Sequence, residues 1–248
     1  MANPNFGAVD RAIPAADQAA FDAGLRTHMI RVYNYMASGL VLSGIVAFSL
    51  FSSPALAALF FEVQAGRVVD LNALGWVAIL APLGLLMLTS FRAAQMSVGA
   101  VRAVYWAVTA LMGVSLSLLL FRYTGASVAR AFFVTAAAFG ALSLFGYTTK
   151  RDLSAFGKFL FMGLIGIIVA GLINMFWPSD TMTFIVSVAG VLIFSGLIAY
   201  DTQRIKAQYA GAWGTDMAEK VAIFGALSLY LNFVNLLQFL MMFLGQRR

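Results

Sequence analysis

Seven long stretches of this chain contain no Asp, Glu, Lys or Arg, and this pattern restricts the possible folds more than any other feature. The stretches are 32–61, 73–91, 103–121, 131–149, 159–177, 181–200 and 221–246. A helix rises about 1.5 Å per residue, so about 20 residues cross the roughly 30 Å hydrocarbon layer of a bilayer. Each stretch is therefore long enough for one transmembrane helix.

The composition and the continuity of these stretches select one fold class. Apolar residues make up 62% of the chain and charged residues 10%, which is more apolar than a soluble core requires. A transmembrane β-barrel is excluded because its strands alternate lipid-facing and lumen-facing residues, whereas these stretches are apolar throughout. Helices also satisfy their own backbone hydrogen bonds in lipid. The sequence predicts an all-α, polytopic membrane protein with seven transmembrane helices.

The ends of the chain and its charges predict the organisation in the membrane. Residues 1–28 are polar and lack the apolar segment of a signal peptide, so we expect a mobile cytoplasmic tail followed by one seven-helix domain, 29–248. Eleven Lys and Arg residues fall on one side of the predicted spans and five on the other. Positive charge marks the cytoplasmic side, which predicts a cytoplasmic amino terminus and a carboxyl terminus outside.

The net charge of +6 could suggest a nucleic-acid partner. The basic residues, however, lie in short loops at the ends of the predicted spans. That distribution is typical of membrane orientation and of contact with anionic lipid headgroups. We therefore expect the lipid bilayer as a partner and no nucleic acid.

Asp201 ends the sixth apolar stretch, about 20 residues after Asp180, and this separation predicts a position near the cytoplasmic boundary. One interpretation is local pairing with Arg204, three residues further along the helix. The other is that Asp201 reaches inward and meets partners from other helices. Arg92, at the cytoplasmic end of the second span, has the depth and the charge for such a partner.

A polar stripe on the seventh span is the second candidate feature. It consists of Ser228, Asn232, Asn235 and Gln238, which share one face of a helix at 100° per residue. Such a stripe faces the bundle interior. Two interpretations remain open, because the side chains could hold helices together or could line a path for ions or protons.

The residues that enzymes need are not assembled in these spans. The chain has no cysteine, and its single histidine, His28, lies in the predicted tail, where we expect it to be solvated. The spans contain no second acid, so the usual protease dyads and the usual metal-ligand clusters do not form. We expect a protein that is not an enzyme and has no cofactor.

Four segments carry a resemblance to a known family. They are VYNYMASGL (32–40), FGYTTKRDLS (145–154), GLIAYDTQRIK (196–206) and ALSLYLNFVNL (226–236). Together they resemble the Bax inhibitor-1 family, also called the transmembrane Bax-inhibitor-motif family, from about residue 26 to the end. The chain looks like a bacterial member, which implies the bacterial inner membrane.

The resemblance implies six helices around a central seventh and a pH-sensitive calcium leak. In that leak, two aspartates from the last two helices share a proton and control closure. Asp201 matches the first aspartate, whereas Asn232 stands in LYLNF where the calcium-leak pattern has LYLDF. Arg92 matches an arginine proposed to latch onto the aspartate pair.

The exchange of the second aspartate for Asn232 changes the expected mechanism. Two neighbouring carboxylates cannot both ionise cheaply, which makes a pair a proton sensor, and an Asp–Asn pair has no such repulsion. We therefore expect weaker or acid-shifted pH gating. Divalent cations prefer several oxygen ligands, so Asp201 and Asn232 would bind Ca²⁺ only in transit.

We expect a passive leak of cations, with Ca²⁺ as the favoured ion or protons as an alternative. Asp201 would be the gate anion, Asn232 its cross-helix partner, Arg92 a latch and Asn235 a lining residue. A function from a different class is also open. Some bacterial members of the family are linked to a membrane-anchored ATP-dependent protease, and the predicted tail could be the handle by which such machinery engages a non-transporting protein.

Overall fold

The structure is a computed structural model that describes residues 15–64, 67–92, 95–212 and 217–246. Within these ranges the chain forms eight helices and one two-stranded antiparallel hairpin. In chain order the elements are α1 (Ala15–Ser52), α2 (Pro54–Ala57), β1 (Phe61–Gln64), β2 (Arg67–Leu71), α3 (Ala73–Arg92), α4 (Val98–Arg122), α5 (Gly125–Thr148), α6 (Ser154–Phe176), α7 (Asp180–Ala212) and α8 (Met217–Leu244).

All the helices except α2 are long and apolar enough to cross a membrane, which gives seven spans in the described part of the chain. The all-α, polytopic fold class is therefore confirmed. Polar side chains mark where spans begin after short loops: Ser97 caps α4 and Thr124 caps α5, each accepting a hydrogen bond from a backbone N–H three residues on. These caps satisfy donors that the first turn of a helix leaves free.

Helix α8 lies at the centre of the bundle. It packs against α1, α4, α5 and α7, and its side chains Leu229 and Tyr230 are fully buried. The remaining two long helices lie further out, since α3 makes its main contacts with α4, and α6 with α7. The seventh span is thus central as expected, but four helices surround it closely while two occupy an outer layer.

Two glycines allow the inner helices to approach one another. A Cβ atom on Gly146 of α5 would lie 2.2 Å from the carbonyl oxygen of Ala199 in α7. A Cβ atom on Gly190 of α7 would lie 2.4 Å from the ring of Phe239 in α8. Neither distance is compatible with a side chain, so these crossings depend on glycine.

The first span differs from its prediction at its end. The apolar stretch 32–61 was expected to be one helix, but α1 ends at Ser52, and the following residues form α2 and the hairpin. Pro54 explains the break, because proline lacks an N–H donor and its ring clashes with the preceding helical turn. Phe61 is apolar because it is buried in a small cluster under the hairpin rather than in a span.

The first span also begins earlier than expected. The prediction of a mobile tail up to residue 28 is wrong for residues 15–28, which are helical, while residues 1–14 lie outside the described residues. Leu25, His28 and Val32 are buried, and their spacing of three to four residues forms one face of α1. The expectation that His28 is solvated is therefore wrong: its ring lies 4.7 Å from that of Tyr209 on α7.

Helix α7 continues well past the apolar stretch that ends at residue 200. It ends at Ala212, and Ile205 and Tyr209 keep its inner face buried. Charged residues on the outer face lower the hydropathy there without interrupting the helix. Asp201 therefore lies inside a continuous helix and not at its end.

Candidate functional site

Asp201 lies on the inner face of α7, where it points toward the centre of the bundle. Its neighbours on that face are Ile198, Thr202 and Ile205, which are fully buried. Asp201 itself is only 5% exposed. Burial of a carboxylate is unfavourable unless other groups pair with it, so its partners define the site.

Helix α8 supplies two of these partners. The Nδ2 atom of Asn232 donates a hydrogen bond to Oδ2 of Asp201 at 2.7 Å. The Oγ atom of Ser228, one turn earlier on the same face, donates to the same oxygen at 2.5 Å. The structure therefore brings Asp201 and Asn232 together.

Helix α7 supplies the third partner from its own next turn. The Nη2 atom of Arg204 lies 2.9 Å from Oδ1 of Asp201, which is an ion pair by distance. Among the described residues, however, Oδ1 has no hydrogen-bond donor, so the N–H direction is poor and the contact is mainly an attraction between charges. Arg204 also donates to Ser228 Oγ at 3.2 Å, and its side chain is 34% exposed. The guanidinium thus closes the site while remaining in contact with its outside.

Arg92 and Asn235 are not part of this cluster. Arg92 is the exposed last residue of α3, and in the described ranges no ion pair or hydrogen bond joins it to Asp201. The half-buried Asn235 donates to the carbonyl oxygen of Leu231 on its own helix at 2.8 Å. The local pairing of Asp201 with Arg204, which the sequence left as one of two interpretations, is therefore present together with the cross-helix contacts.

A chain of hydroxyl groups lies beside the site. Tyr33 of α1 and Ser143 of α5 are 2.6 Å apart, and Ser143 is 3.1 Å from the hydroxyl of Thr202. Thr202 in turn donates to the carbonyl oxygen of Ile198 at 2.8 Å. The sequence did not predict this row of hydroxyl groups. Hydroxyl side chains within spans commonly bond to their own helix, so their presence does not indicate a partner on another helix.

Gln203 fixes the loop between α5 and α6 to α7. Its side chain donates to the carbonyl oxygen of Arg151 at 2.8 Å and accepts from the backbone N–H of Leu153 at 2.9 Å. In the same loop, hydrogen bonds from Ser154 hold the pKa of Asp152 below its usual value. Asp201, Thr202 and Gln203 thus connect α7 to α8, to α5 and to the following loop, respectively.

The ligand set around Asp201 is small. The described residues contain no group of three or more His, Asp or Glu side chains that could hold a metal ion. The site offers one carboxylate with an amide and a hydroxyl group beside it. Such a set binds a cation only weakly, and the guanidinium of Arg204 supplies the positive charge at Asp201.

Comparison with known proteins agrees with the four motif segments. Residues 25–248 match the protein family described as inhibitor of apoptosis-promoting Bax1. The chain belongs to the Bax inhibitor-1 family. The match includes all four segments and both helices of the Asp201 site, so the resemblance is confirmed.

Relatives of this Bax inhibitor-1 chain come from diverse bacteria. It is 51% identical over 241 residues to an uncharacterized protein of Caulobacter vibrioides, covering 96% of each chain. It is 42% identical over 228 residues to the inner membrane protein YbhL of Escherichia coli K12, covering 91% of this chain and 94% of YbhL. An uncharacterized membrane protein of Streptococcus pyogenes is 36% identical over 225 residues, with 91% of this chain and 95% of the relative covered.

Proposed function

We propose that this Bax inhibitor-1 family protein is a passive cation leak of the bacterial inner membrane, that Ca²⁺ is the favoured permeant ion, and that Asp201 is the gate anion. The observation that carries the proposal is the buried Asp201 carboxylate, held between α7 and α8 by Asn232, Ser228 and Arg204. Ionisable side chains inside a transmembrane bundle are unfavourable, and they mark ion and proton pathways.

Arg204 acts as a tethered cation in this mechanism. Its guanidinium neutralises Asp201 while the path is closed, and a permeating cation takes its place when the path opens. The exchange is feasible because Arg204 is partly exposed and needs only a side-chain rotation to reach water. Arg204 thus has the latching role that the family resemblance implied for Arg92.

The single acid sets the ion and pH behaviour that we propose. One carboxylate with a few neutral oxygens binds a divalent cation too weakly to store it, which favours passage. Protonation removes the charge of Asp201 and releases Arg204, but no second acid shares the proton. The pH dependence is therefore weaker than in a pair of aspartates.

The orientation proposed for the chain follows the distribution of Lys and Arg. With a cytoplasmic amino terminus and seven spans, the Asp201 end of α7 faces the cytoplasm. Ca²⁺ entering the cell would encounter the Asp201 cluster last.

Calcium flux into proteoliposomes across a pH series tests this function. We expect Asp201→Asn to change the flux about tenfold, which corresponds to the loss of about 1.4 kcal/mol of ion interaction. Asn232→Asp restores a second acid. Other divalent ions should therefore compete more strongly with Ca²⁺ in this variant, and its Ca²⁺ flux should depend more steeply on pH. The matched control is Asp180→Asn, an exposed acid at the opposite end of α7, which should behave like the native chain.

Two results would contradict the proposal. Equal flux and equal pH dependence in the native chain and in Asp201→Asn would show that Asp201 is not the gate. No flux in the native chain, with flux in Asn232→Asp, would show that this chain has lost the leak. The interaction with a membrane-anchored ATP-dependent protease would then be the proposed function, and deletion of residues 2–14, which precede α1, would be expected to abolish that interaction.

A further inference from the structure

A groove lies between α1 and α5, outside the Asp201 cluster. Its volume is about 520 Å³, within the range of small-molecule sites, and most of its lining is apolar. Arg26, Ile30 and Tyr33 line it from α1, and Gly140 and Ser143 from α5. It is called the α1–α5 groove below.

The α1–α5 groove runs along the membrane-spanning helices and opens to their outer surface. Arg26 and Tyr147 lie at one end, and Tyr33 lies about 10 Å further along α1, given the rise of a helix. Ile30 is 49% exposed and Leu144 is 64% exposed, although both line the groove. In a membrane these side chains contact lipid, so the groove is open to the acyl-chain region.

One end of the α1–α5 groove is positively charged. Arg26 forms no ion pair within the described residues, even though Asp22 lies one helical turn before it. Lys206 lies beside the groove, where its Nζ atom is 3.5 Å from the carbonyl oxygen of the lining residue Tyr147 and 5.2 Å from the centre of its ring. The described residues that line the groove include no acid, so the charge of Arg26 is not compensated there.

The middle of the α1–α5 groove contains one pair of polar groups. The hydroxyls of Tyr33 and Ser143 are 2.6 Å apart, and either can be the donor. The neighbouring hydrogen bonds fix the direction: Thr202 donates to the carbonyl oxygen of Ile198, so Ser143 donates to Thr202 and Tyr33 donates to Ser143. The groove therefore offers, in order, the cation of Arg26 with Lys206 beside it, the hydroxyl oxygen of Tyr33 and an apolar channel.

We propose that the α1–α5 groove binds one anionic phospholipid from the adjoining leaflet. The phosphate binds Arg26, Lys206 adds its positive charge from beside Tyr147, and an acyl chain follows Ile30 and Leu144. Each Lys or Arg near an anionic headgroup strengthens the attraction about fivefold. This lipid site is independent of the proposed cation leak, because none of these contacts requires Asp201.

Native mass spectrometry of the full chain in detergent tests the lipid site. Palmitoyl-oleoyl phosphatidylglycerol is titrated against phosphatidylcholine with the same chains, so that only the headgroup differs. Two variants alter the groove. Arg26→Gln removes a cation, and Gly140→Leu fills the groove, since a Cβ atom at Gly140 meets no other atom within 4 Å. Matched controls outside the groove are Arg122→Gln on α4 and Gly166→Leu on α6, where a Cβ atom also meets nothing.

We expect phosphatidylglycerol to bind at least about fivefold more tightly than phosphatidylcholine, and each groove variant to weaken phosphatidylglycerol about fivefold while both controls bind like the native chain. Equal affinity for the two lipids, or native affinity in Gly140→Leu, would overturn the proposal and leave only unspecific lipid contact. If Arg26→Gln does not fold, the comparison of Gly140→Leu with Gly166→Leu decides the matter. The readout is binding, so its result is independent of calcium flux.

Discussion

Helices α8 and α6 are both strongly apolar, yet they occupy opposite environments. In the most apolar stretch of each helix, 56% of the residues are buried in α8 and 6% in α6. The more hydrophobic of the two is α6, whose large side chains, such as Phe159 and Met162, face outward. In a soluble protein the order would be reversed. Here hydropathy measures how well a helix suits lipid, and the central helix is identified by its polar residues instead.

The comparison also shows where specificity can reside. Lipid tails are as apolar as the side chains of α6, so replacing protein contacts by lipid contacts there changes little free energy. The neighbours of α8 are fixed by shape and by hydrogen bonds, including Ser43, whose hydroxyl lies 2.6 Å from that of Tyr230. Equivalent changes in the two helices should therefore differ greatly in their effect on stability.

The largest difference is expected for removal of an aromatic ring. Tyr230→Ala creates a cavity around a fully buried residue of α8 and removes the contact with Ser43, which should lower the free energy of unfolding by about 4 kcal/mol. Phe159→Ala on α6 replaces a lipid-facing ring and should lower it by less than about 1 kcal/mol. Reversible unfolding in mixed micelles measures both. Equal losses would mean that the two environments are not energetically distinct.

A smaller difference is expected when a side chain is added to a glycine. Gly190→Leu places atoms in the ring of Phe239 at the crossing of α7 and α8, and should destabilise the protein by about 2 kcal/mol. Gly171→Leu on α6 is the control, because a Cβ atom there meets nothing within 4 Å. Thermal unfolding of the two variants in the same detergent gives the comparison. A stable Gly190→Leu would show that Phe239 moves aside without strain.

The smallest difference concerns two ion pairs. Arg204→Gln leaves the buried Asp201 without its cation but with its donors from Asn232 and Ser228, so a loss of about 1.5 kcal/mol is expected. Arg102→Gln breaks an ion pair in which Arg102 is 46% and Glu219 35% exposed, so it should lower the free energy of unfolding less than Arg204→Gln does. Denaturant titrations resolve the two values. A larger loss of stability in Arg102→Gln than in Arg204→Gln would show that the exposed ion pair contributes more to stability than the buried one.

The spans were predictable from the sequence because lipid imposes its thickness on every helix. The pairing of Asp201 with Asn232 was predictable for a different reason, since both belong to motif segments of a known family. The boundaries of α1 could not be predicted, because Leu25 and His28 are buried by tertiary packing that local polarity does not reveal. Hydropathy likewise could not show that α7 continues to Ala212.

The choice between two arginines was also beyond the sequence. Arg92 and Arg204 are both suited in depth and charge, and only the packing of α3 against α4 separates Arg92 from the site. The pair formed by Tyr33 and Ser143 requires α1 and α5 to be neighbours, which no local pattern encodes. The properties of single helices could thus be predicted from the sequence, whereas the contacts between spans that are distant in the sequence could not.

The lengths of α1 and α7 have a structural consequence. With 38 and 33 residues, the helices are about 57 Å and 50 Å long, whereas the hydrocarbon layer is about 30 Å thick. Their extra turns meet where Phe21 and His28 contact Tyr209, so the two helices stay in contact beyond their apolar stretches. Because α7 is unbroken, its contact with α1 at Tyr209 and its Asp201 site belong to one continuous helix, two turns apart.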